Sequence, residues 1–577
     1  MAFHGRDRIT RIGCGDHLVP FSIVFTAFLT IIGQVEAGKI EAKSVSFADV
    51  SAAIGSAKDG DTVIVPTGTA TWTTPLNITD NITLQGAGAG STVIIDEVPR
   101  RLMQGPRGEG AGPHARPGRF GEKASGRGHG RDMATKAERG AVAAGRGSAA
   151  RGEGRGSYLI SIHIDKDLPF RMTGFTFQGG NVNTQKNSNG VIRISGNCHL
   201  FRIDHCRFDG LYGTSLSVAG FLWGVVDHCQ FNCLKGRTTG PVEVKHREWN
   251  GKDWGHGSWA DDPYWGSEKF VFVEDNTFEF NGKGAIDSFE GARFVVRHNH
   301  MHNCGLVMHG TEGQGRGAKQ LEEYNNTYVF DQPGSAGQIR SGCIITHDNT
   351  WTNVARGHVL QDFRYYNGQD TKWGIANGQN IYDLNDPNGT IGYWAAGTHT
   401  GPNDANILTD ATKNWTTNQW YTPALGVAYI IRNRTKEAAG IPAQQSWILG
   451  NTSNTVTFSH VTFQIKQPLA FNTGDRYEIW KIERLLDQPG VGKGDLLTGA
   501  GTYGSPTMAT PKAWPHQVSE PCYSWNNTDG NGKALNLGTG QASIKEGRDF
   551  FNGTPKPGYK PYTYPHPLVR GAAVTSK

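Results

Sequence analysis

A disulfide framework is missing from this sequence of 577 residues. Its eight cysteines form no CxxC pair, and loss of Cys14 with the N-terminal segment described below leaves an odd number, seven. Neither a small disulfide-stapled scaffold nor a four-ligand zinc site fits that count and spacing. We therefore predict that most of the cysteines are small buried hydrophobic residues.

Charged residues are also few, at 19% of the chain, whereas glycine is abundant at 78 residues. The mean hydropathy of −0.47 argues against a polytopic membrane protein. Abundant glycine and asparagine together with aromatic residues favour turns and strands over helices. The composition therefore indicates an all-β protein.

The net charge of +5 comes from a single stretch, residues 105–157, which holds eleven Lys/Arg and five Asp/Glu. The rest of the chain is close to neutral, so we predict no nucleic-acid partner for the folded part. Residues 105–157 are dominated by Gly, Arg and Ala and cannot bury enough apolar surface to order themselves. We interpret them as a disordered insertion between two strands, with an RNA-binding Arg/Gly segment as the alternative.

The N-terminal residues 1–37 have the pattern of a secretory signal peptide. Arg6, Arg8 and Arg11 precede an apolar run over residues 18–32, and Val35-Glu36-Ala37 resembles a cleavage site. A retained membrane anchor is the alternative, but the run is short for a membrane span. We predict a secreted protein, extracellular or periplasmic, with no membrane contact after cleavage.

Internal repetition is the strongest signal in the sequence. A motif of alternating apolar residues, two polar residues, Asn or Cys, any residue and an aromatic recurs, with intervals of 23, 47, 23, 27 and 23 residues. Its Asn/Cys position falls at Cys206, Cys229, Asn276, Asn299, Asn326 and Asn349. A period near 23 suits one turn of a parallel β-helix with three short strands.

The repeated residues have a physical role in such a coil. Because stacked coils lie about 4.8 Å apart, an inward Asn can bond to the Asn of the coils above and below. Two positions later, we predict an inward stack of large side chains, namely Phe208, Phe231, Phe278, Met301, Tyr328 and Trp351.

On this motif the sequence resembles the pectin-lyase-like right-handed parallel β-helix superfamily. The resemblance covers roughly residues 45–400 and resumes at EPCYSWNNTD, residues 520–529. It implies an all-β, right-handed parallel β-helix, a solenoid. It specifies function poorly, because the superfamily includes lyases, hydrolases, epimerases and phage tailspikes.

The remaining segments are predicted as additions to this solenoid. An amphipathic helix over residues 46–57 caps the first coils within residues 38–104, and the main β-helix spans 158–399. Strand-length pieces in 400–482 predict a small inserted β module, for binding, oligomerisation or bracing. Residues 483–577 supply a final coil and a C-terminal strap along the helix.

An outward column of polar residues is expected two positions before the Asn column. It consists of Asp204, Asp227, Glu274, Arg297, Tyr324 and His347. The acidic end is a candidate for Ca²⁺, and Arg297 could bind a uronate carboxylate bidentately. The alternative is a solvated ladder of salt bridges with Glu274 and Arg297 on adjacent coils.

Titratable residues are densest about ten positions after the Asn column. Asp287 and His309 fall on successive coils and are predicted to be neighbours. Further charged side chains follow in the adjoining turns and coils: Glu290, Arg293, Glu312, Arg316, His358, Asp362 and Arg364. His309 is the best candidate for proton transfer because imidazole titrates near neutrality.

A tryptophan-rich loop precedes the coil at residues 271–278. It contains Trp249, Trp254, Trp259, Tyr264 and Trp265. Exposed Trp rings offer flat apolar faces to sugars, so we predict a sugar-contacting wall; the alternative is a loop that packs its aromatic rings over the helix. The adjacent pair Asp261 and Asp262 is a weak second candidate for Ca²⁺.

The leading hypothesis is a polysaccharide lyase that cleaves a uronate polymer by β-elimination. Arg297 or Arg316 would neutralise the uronate, His309 would be the base and Asp287 would orient it, with Glu312 as a further catalytic candidate. The predicted substrate contacts are Trp254, Trp259, Trp265, Tyr324, His347 and Arg364.

Two alternatives remain at the sequence level. A glycoside hydrolase would use a pair of carboxylates among Asp287, Glu290, Glu312 and Asp362. A non-catalytic glycan-binding or adhesin solenoid would depend on the aromatic loop and the β module instead.

Overall fold

A computed structural model places most of the chain. The residues that it describes are 37–99, 158–181, 190–211, 214–233, 240–251, 255–280, 284–310, 316–361, 395–421, 428–441, 444–459, 469–482, 487–492, 519–541 and 543–571. The predicted signal peptide, apart from Ala37, and the Gly/Arg-rich insertion lie outside them.

Short parallel strands pile up in three stacks, which we call the first, second and third stack. The first holds Lys39–Glu41, Thr62–Val65, Thr83–Gly86, Phe170–Thr173, the end of Ile192–Asp204, Phe221–Asp227, Val271–Glu274, Arg293–Arg297, Gln320–Tyr324, Cys343–His347, Cys522–Trp525 and Phe550–Asn552. The second holds Gly68–Trp72, Thr92–Asp96, Thr176–Gly179, Arg207–Asp209, Gln230–Cys233, Thr277–Phe280, His300–His302, the starts of Thr327–Ile339 and Thr350–Leu360, and Thr528–Asp529. The third holds Leu76–Ile78, Ile160–Ile164, the start of Ile192–Asp204, Leu216–Ala219, Val242–Lys245, Ile286–Phe289, Leu306–Met308, the ends of Thr327–Ile339 and Thr350–Leu360, and Gly538–Thr539.

The predicted parallel β-helix is confirmed by the pairing of these strands. Each strand pairs in parallel with the equivalent strand of the next coil, as when Glu274 aligns with Arg297, and Arg297 with Tyr324. Alternate residues therefore point into one continuous apolar core and out of it. The outward residues of successive coils form ridges along the rod.

The predicted asparagine column is confirmed as a hydrogen-bonded ladder. The side-chain amide of each Asn donates to the side-chain oxygen of the next: Asn276 to Asn299 at 3.1 Å, Asn299 to Asn326 at 3.0 Å, and Asn326 to Asn349 at 2.9 Å. Asn349 donates to Asn527, which extends the ladder into the last predicted coil. The ladder satisfies buried polar groups where the chain turns from the first stack to the second.

One residue before the ladder, the backbone at this corner is left-handed. The φ values lie between 50° and 56° at His205, His228, Asp275, His298, Asn325, Asp348 and Asn526. Asn, Asp and His tolerate this conformation better than other residues with a side chain. The polar pair in the repeat motif therefore has a backbone cause as well as a side-chain one.

The large side chains of the second stack pile up inside the coil as predicted. Phe208 and Phe231 stack at 4.9 Å between ring centroids, Phe231 and Phe278 at 4.6 Å, and Tyr328 and Trp351 at 4.9 Å. The seven cysteines of the described residues are buried, as the sequence led us to expect.

The helix Phe47–Ser56 packs against the first coils and buries Val50 and Ile54, as expected for a cap. The hydroxyl of its N-cap residue, Ser46, accepts a hydrogen bond from the Asp49 amide at 3.2 Å. Two further helices, His256–Ala260 and Arg434–Ala438, and the 3₁₀ segments Trp249–Gly251 and Pro567–Arg570, complete the described elements. None of the helices in the described part is long and apolar enough to cross a membrane.

The inserted module is an antiparallel sheet with its own core. It contains Ala395–Thr398, Ile407–Thr409, Ala428–Asn433, Gln445–Asn451, Thr455–Phe458 and Arg476–Ile482. The first strand lies just before the predicted start of the module at residue 400 and pairs with the last strand. Leu408, Ile431 and Phe471 are fully buried in its core.

Residues 559–570 form a C-terminal strap over the outer face of the first stack. Tyr559 packs edge-on against Trp525 near the last coils, whereas Leu568 and Val569 accept hydrogen bonds from Arg202 several coils earlier. Ten extended residues reach about 33 Å, enough to cross the roughly six coil spacings of about 4.8 Å between these points. The strap thus covers one outward ridge of the rod.

Candidate functional site

Two adjacent outward ridges of the third stack carry charged side chains. The strand Val242–Lys245 pairs with Ile286–Phe289, which places Glu243 beside Asp287 and Lys245 beside Phe289. The next strand, Leu306–Met308, brings His309 in line with Phe289. These side chains, with Arg340 one coil further, are the third-stack cluster.

The predicted proximity of Asp287 and His309 is confirmed. The Nε2 of His309 lies 3.0 Å from Asp287 Oδ1, and the imidazole side chain is 19% exposed whereas the carboxylate is 3% exposed. The His309 ring stacks on Phe289 with the centroids 4.2 Å apart and an interplanar angle of 11°. The ring is thus held on one face and at one nitrogen, while its edge stays open to solvent.

A guanidinium approaches the other imidazole nitrogen. Arg340 Nη1 lies 3.2 Å from His309 Nδ1. If Nε2–H donates to the Asp287 carboxylate, Nδ1 carries the lone pair and accepts from Arg340. That arrangement gives an unprotonated ring nitrogen directly beside a fixed positive charge.

Lys245 supplies a second cation on the same ridge. Its Nζ lies 5.4 Å from the Phe289 ring centroid and 3.1 Å from Glu243 Oε2. Burial opposes its charge, but Glu243 and Glu290 outweigh burial and raise the pKa of Lys245 above its usual value. Lys245 is therefore an ammonium at neutral pH, suited to attract an anion rather than to take up a proton.

The adjoining corner is held by an ion pair. Glu290 has a left-handed backbone with φ of 46°, and its carboxylate accepts two hydrogen bonds of 2.9 Å from Arg247. Because both oxygens are engaged in this bidentate pair, Glu290 serves to fix the corner next to Phe289.

The predicted roles of Arg297 and Arg316 as uronate neutralisers are wrong. Both side chains have no solvent exposure. Arg297 is paired with Glu274 at 2.5 Å beneath the C-terminal strap, and Arg316 is paired with Asp487 through two hydrogen bonds of 2.6 and 2.7 Å. A guanidinium committed to a buried carboxylate cannot also receive a polymer.

The outward column containing Arg297 lies in register as predicted, but it is not an open surface. Tyr324 and His347, predicted to contact substrate, are 2% and 5% exposed. The His347 ring is stacked between Tyr324 at 4.8 Å and Trp525 at 4.3 Å. The prediction of substrate contacts here is wrong because the strap covers the column, and the salt-bridge ladder is buried rather than solvated.

The tryptophan loop packs inward where the structure describes it. Trp259 has no exposure, and its indole N–H donates to the Gly317 carbonyl at 2.7 Å. Trp249 is also buried, and Trp265 is half-buried with its indole N–H on Glu520. Trp259 therefore cannot present a face to sugar, and the alternative of aromatics folded over the helix describes it correctly.

Several predicted residues lie outside the described residues, namely Trp254, Glu312, Asp362 and Arg364. Conversely, the sequence-based search did not single out Lys245, Phe289 or Arg340. Their signal was the alternation of apolar and polar residues in VEVK and IDSF, which places every second side chain on the outer face.

The described residues contain no group of three or more His, Cys, Asp or Glu arranged to hold a metal ion. In the tryptophan loop, the Asp261 carboxylate already accepts hydrogen bonds from Trp249 at 2.9 Å and Tyr264 at 2.8 Å. These bonds hold the loop together. A Ca²⁺ requirement stays a prediction.

Strand pairing defines this chain as a parallel β-helix protein, the fold that the sequence resemblance implied. Neither family models nor curated proteins match the sequence. Among solved structures, the chain is similar to a PL6 family polysaccharide lyase from Pseudopedobacter saltans, with a TM-score of 0.28 and 14% identity. The match covers 56% of this chain and 65% of the lyase chain.

A second similar structure is the catalytic domain of a GH87 α-1,3-glucanase in complex with nigerose. Its TM-score is 0.22 and its identity 10%, over 56% of this chain and 60% of that domain. The chain thus spans less than two thirds of the length of either structure, and both similarities are distant.

Proposed function

We propose that this protein is a secreted polysaccharide lyase that cleaves a uronate-containing polymer by β-elimination at the third-stack cluster. The observation that carries the proposal is the contact of His309 with Asp287 on one nitrogen and with Arg340 on the other. This arrangement places a base and a carboxylate-binding group side by side on a solvent-facing ridge.

The geometry supports a specific division of roles. A uronate carboxylate would take the Arg340 guanidinium bidentately and so uncover the Nδ1 lone pair of His309. His309 then removes the proton α to that carboxylate, the electron pair forms the new C=C bond, and the glycosidic C–O bond breaks as the leaving oxygen takes a proton from solvent. Asp287 fixes the imidazole tautomer and stabilises the imidazolium.

Lys245 fits a binding role on the next sugars. Because it lies two coils from His309, its ammonium is about 10 Å away along the rod. Its raised pKa keeps it charged at neutral pH. A polymer that lies along the ridge would then meet cations at both ends of the cluster, which favours an acidic chain over a neutral one.

The test is ultraviolet absorbance of new unsaturated ends on pectate, alginate and glycosaminoglycan substrates. His309→Gln and Asp287→Asn should lower the rate by about 100-fold or more on the active polymer. His302→Gln is the matched control, because His302 is likewise held by two carboxylates, Glu279 at 2.6 Å and Asp331 at 2.9 Å, but on the second stack. Absence of unsaturated ends on all of these polymers would contradict the proposal.

A hydrolase is the second candidate, favoured by one observation. Glu243 and Asp287 are aligned on adjacent coils, and a strand spacing of about 4.8 Å is close to the separation of about 5–5.5 Å between the carboxylates of retaining glycosidases. Reducing ends without unsaturation would favour this function. Binding without either product, unchanged in His309→Gln, would instead indicate a non-catalytic glycan-binding solenoid.

A further inference from the structure

A serine, a histidine and an aspartate are joined by hydrogen bonds on the third stack, several coils from the third-stack cluster. Ser195 and His163 are aligned partners of adjacent parallel strands. The Ser195 Oγ lies 3.0 Å from His163 Nδ1, and His163 Nε2 lies 3.1 Å from Asp165 Oδ2. We propose that these three residues form a second catalytic centre, a serine esterase site for acyl esters.

The order of contacts is that of a nucleophile, a base and an orienting acid. Hydroxyl, imidazole and carboxylate follow one another through the two different ring nitrogens, as catalysis by an activated serine requires. With Nε2–H on the Asp165 carboxylate, His163 Nδ1 is the acceptor for the Ser195 proton. The same hydroxyl can turn to the Ile162 carbonyl at 3.2 Å, which is its resting alternative.

The site is open to a ligand. The His163 and Asp165 side chains are 57% and 66% exposed, and Ser195 is half-buried on the outer face of its strand. Gly196 follows with φ of 103°, and a Cβ there would meet the Ile164 carbonyl at 2.1 Å and Asp165 Oδ1 at 2.9 Å. Glycine at this position therefore lets the chain turn directly after the serine and leaves room for the carboxylate.

The step balances without a cofactor. Ser195 Oγ attacks the ester carbonyl carbon while its proton passes to His163 Nδ1. The carbonyl oxygen becomes an oxyanion on the side of Arg193, which lies two residues before the serine on the same face. The C–O bond to the alcohol breaks as His163 returns the proton to that alcohol, and water then releases the acid from the acyl-serine by the same route.

The position of this centre indicates its substrate class. Ser195 lies on the same outward ridge as Lys245, Phe289 and His309, four coils or about 19 Å from His309. If the proposed lyase function holds, a polymer lying along the ridge would pass both centres. Ester groups on its hydroxyls, such as O-acetyl groups, are then the natural substrate, and their removal would prepare the chain for elimination.

The test uses small probes and no polysaccharide, so that its result is independent of the lyase proposal. A fluorophosphonate should add its mass to the peptide that contains Ser195 in the native full-length protein, and His163→Gln should abolish the labelling. Nitrophenol release from p-nitrophenyl acetate should fall by about 100-fold, or to the uncatalysed rate, in Ser195→Ala.

Ser161→Ala is the matched control, because Ser161 also points outward, on the same strand as His163, and should leave both readouts unchanged. Circular dichroism of each variant separates loss of chemistry from loss of fold. An unlabelled Ser195 in the folded wild-type protein, or nitrophenol release that is the same in Ser195→Ala, would overturn the proposal.

Discussion

Arg297 Nη1 donates a hydrogen bond of 2.8 Å to the backbone carbonyl of Tyr562, which joins the middle of the solenoid to the C-terminal strap. A second nitrogen of the same guanidinium donates to the Thr563 carbonyl at 2.9 Å. Glu274 completes the site by accepting from Arg297 and from the His566 amide at 2.8 Å. The strap is thus fixed by a buried ion pair whose remaining hydrogen bonds go to strap backbone.

Loss of one partner of this ion pair should be costly. Arg297→Met leaves Glu274 buried without its cation, so we expect the free energy of unfolding to fall by about 3–5 kcal/mol in urea denaturation. The double variant Glu274→Gln/Arg297→Met should recover part of that loss because no lone charge remains. Equal stability of the wild type and the single variant would show that the pair is not buried in solution.

The asparagine ladder predicts a second loss of stability. Asn326→Ala removes hydrogen bonds to the Val296 carbonyl and to Asn349, and it removes the acceptor for the Asn299 amide. Each buried group left unsatisfied costs about 1–3 kcal/mol, so a loss of about 3 kcal/mol or more is expected from chemical denaturation. Asn325→Gly is the control: this neighbour is exposed, its φ is 56°, and glycine accepts that conformation.

Cysteine takes the place of asparagine in the earlier coils, and this substitution can be reversed. The Cys229 thiol donates to the Asp227 and Ile203 carbonyls, which matches the donation of the Asn276 amide to equivalent carbonyls. Cys229→Asn should strengthen these bonds and offer an acceptor to the next coil, for a gain of about 1 kcal/mol. A lower thermal midpoint would show that the ladder ends at this coil for steric reasons.

The strap should make stability depend on pH through Glu322. Burial raises the pKa of this carboxyl from 4.5 to about 7, although it accepts hydrogen bonds from the Gly266 amide and the Tyr559 hydroxyl. Since the folded pKa lies above the unfolded one, folding favours the protonated form. The group is therefore neutral to stability well above neither pKa only at low pH, and it destabilises the fold as pH rises from about 4.5 through about 7.

Glu322→Gln removes that titration and keeps an acceptor for both donors. At one pKa unit per about 1.4 kcal/mol, the variant should be more stable than the wild type by up to about 3 kcal/mol at pH 8. The difference should shrink as pH falls towards 5. Thermal midpoints of both proteins across this pH range test the prediction, and a constant difference at all pH values would contradict it.

Lys245 offers a separate test of the proposed lyase. Lys245→Met should raise KM for the polyuronate by about tenfold, about 1.4 kcal/mol of binding free energy, because a cation on the ridge is lost. Lys245→Arg, which keeps the charge, should retain most of the affinity. Initial rates over a range of polymer concentrations separate KM from kcat. A fall in kcat alone would instead place Lys245 among the groups that transfer protons.

The solenoid was predictable because its information is local and repeated. The interval of 23 residues and the Asn residues at 276, 299, 326 and 349 place equivalent residues at one corner, and parallel pairing then carries Asp287 to His309. The period-two alternation of each strand determines which side chains point out. Lys245 and Arg340 followed the same rule, but their strands lack the conserved-looking corner motif that drew attention to the others.

Exposure was decided only by the tertiary structure. The sequence placed Arg297, Tyr324 and His347 on the outside of the coil, and it did so correctly, yet the strap at residues 559–570 covers them. Contact between segments more than 200 residues apart leaves no periodic pattern in either one. Alternation along a strand tells which way a side chain points from its own coil, whereas only the folded chain determines whether water or another segment meets it there.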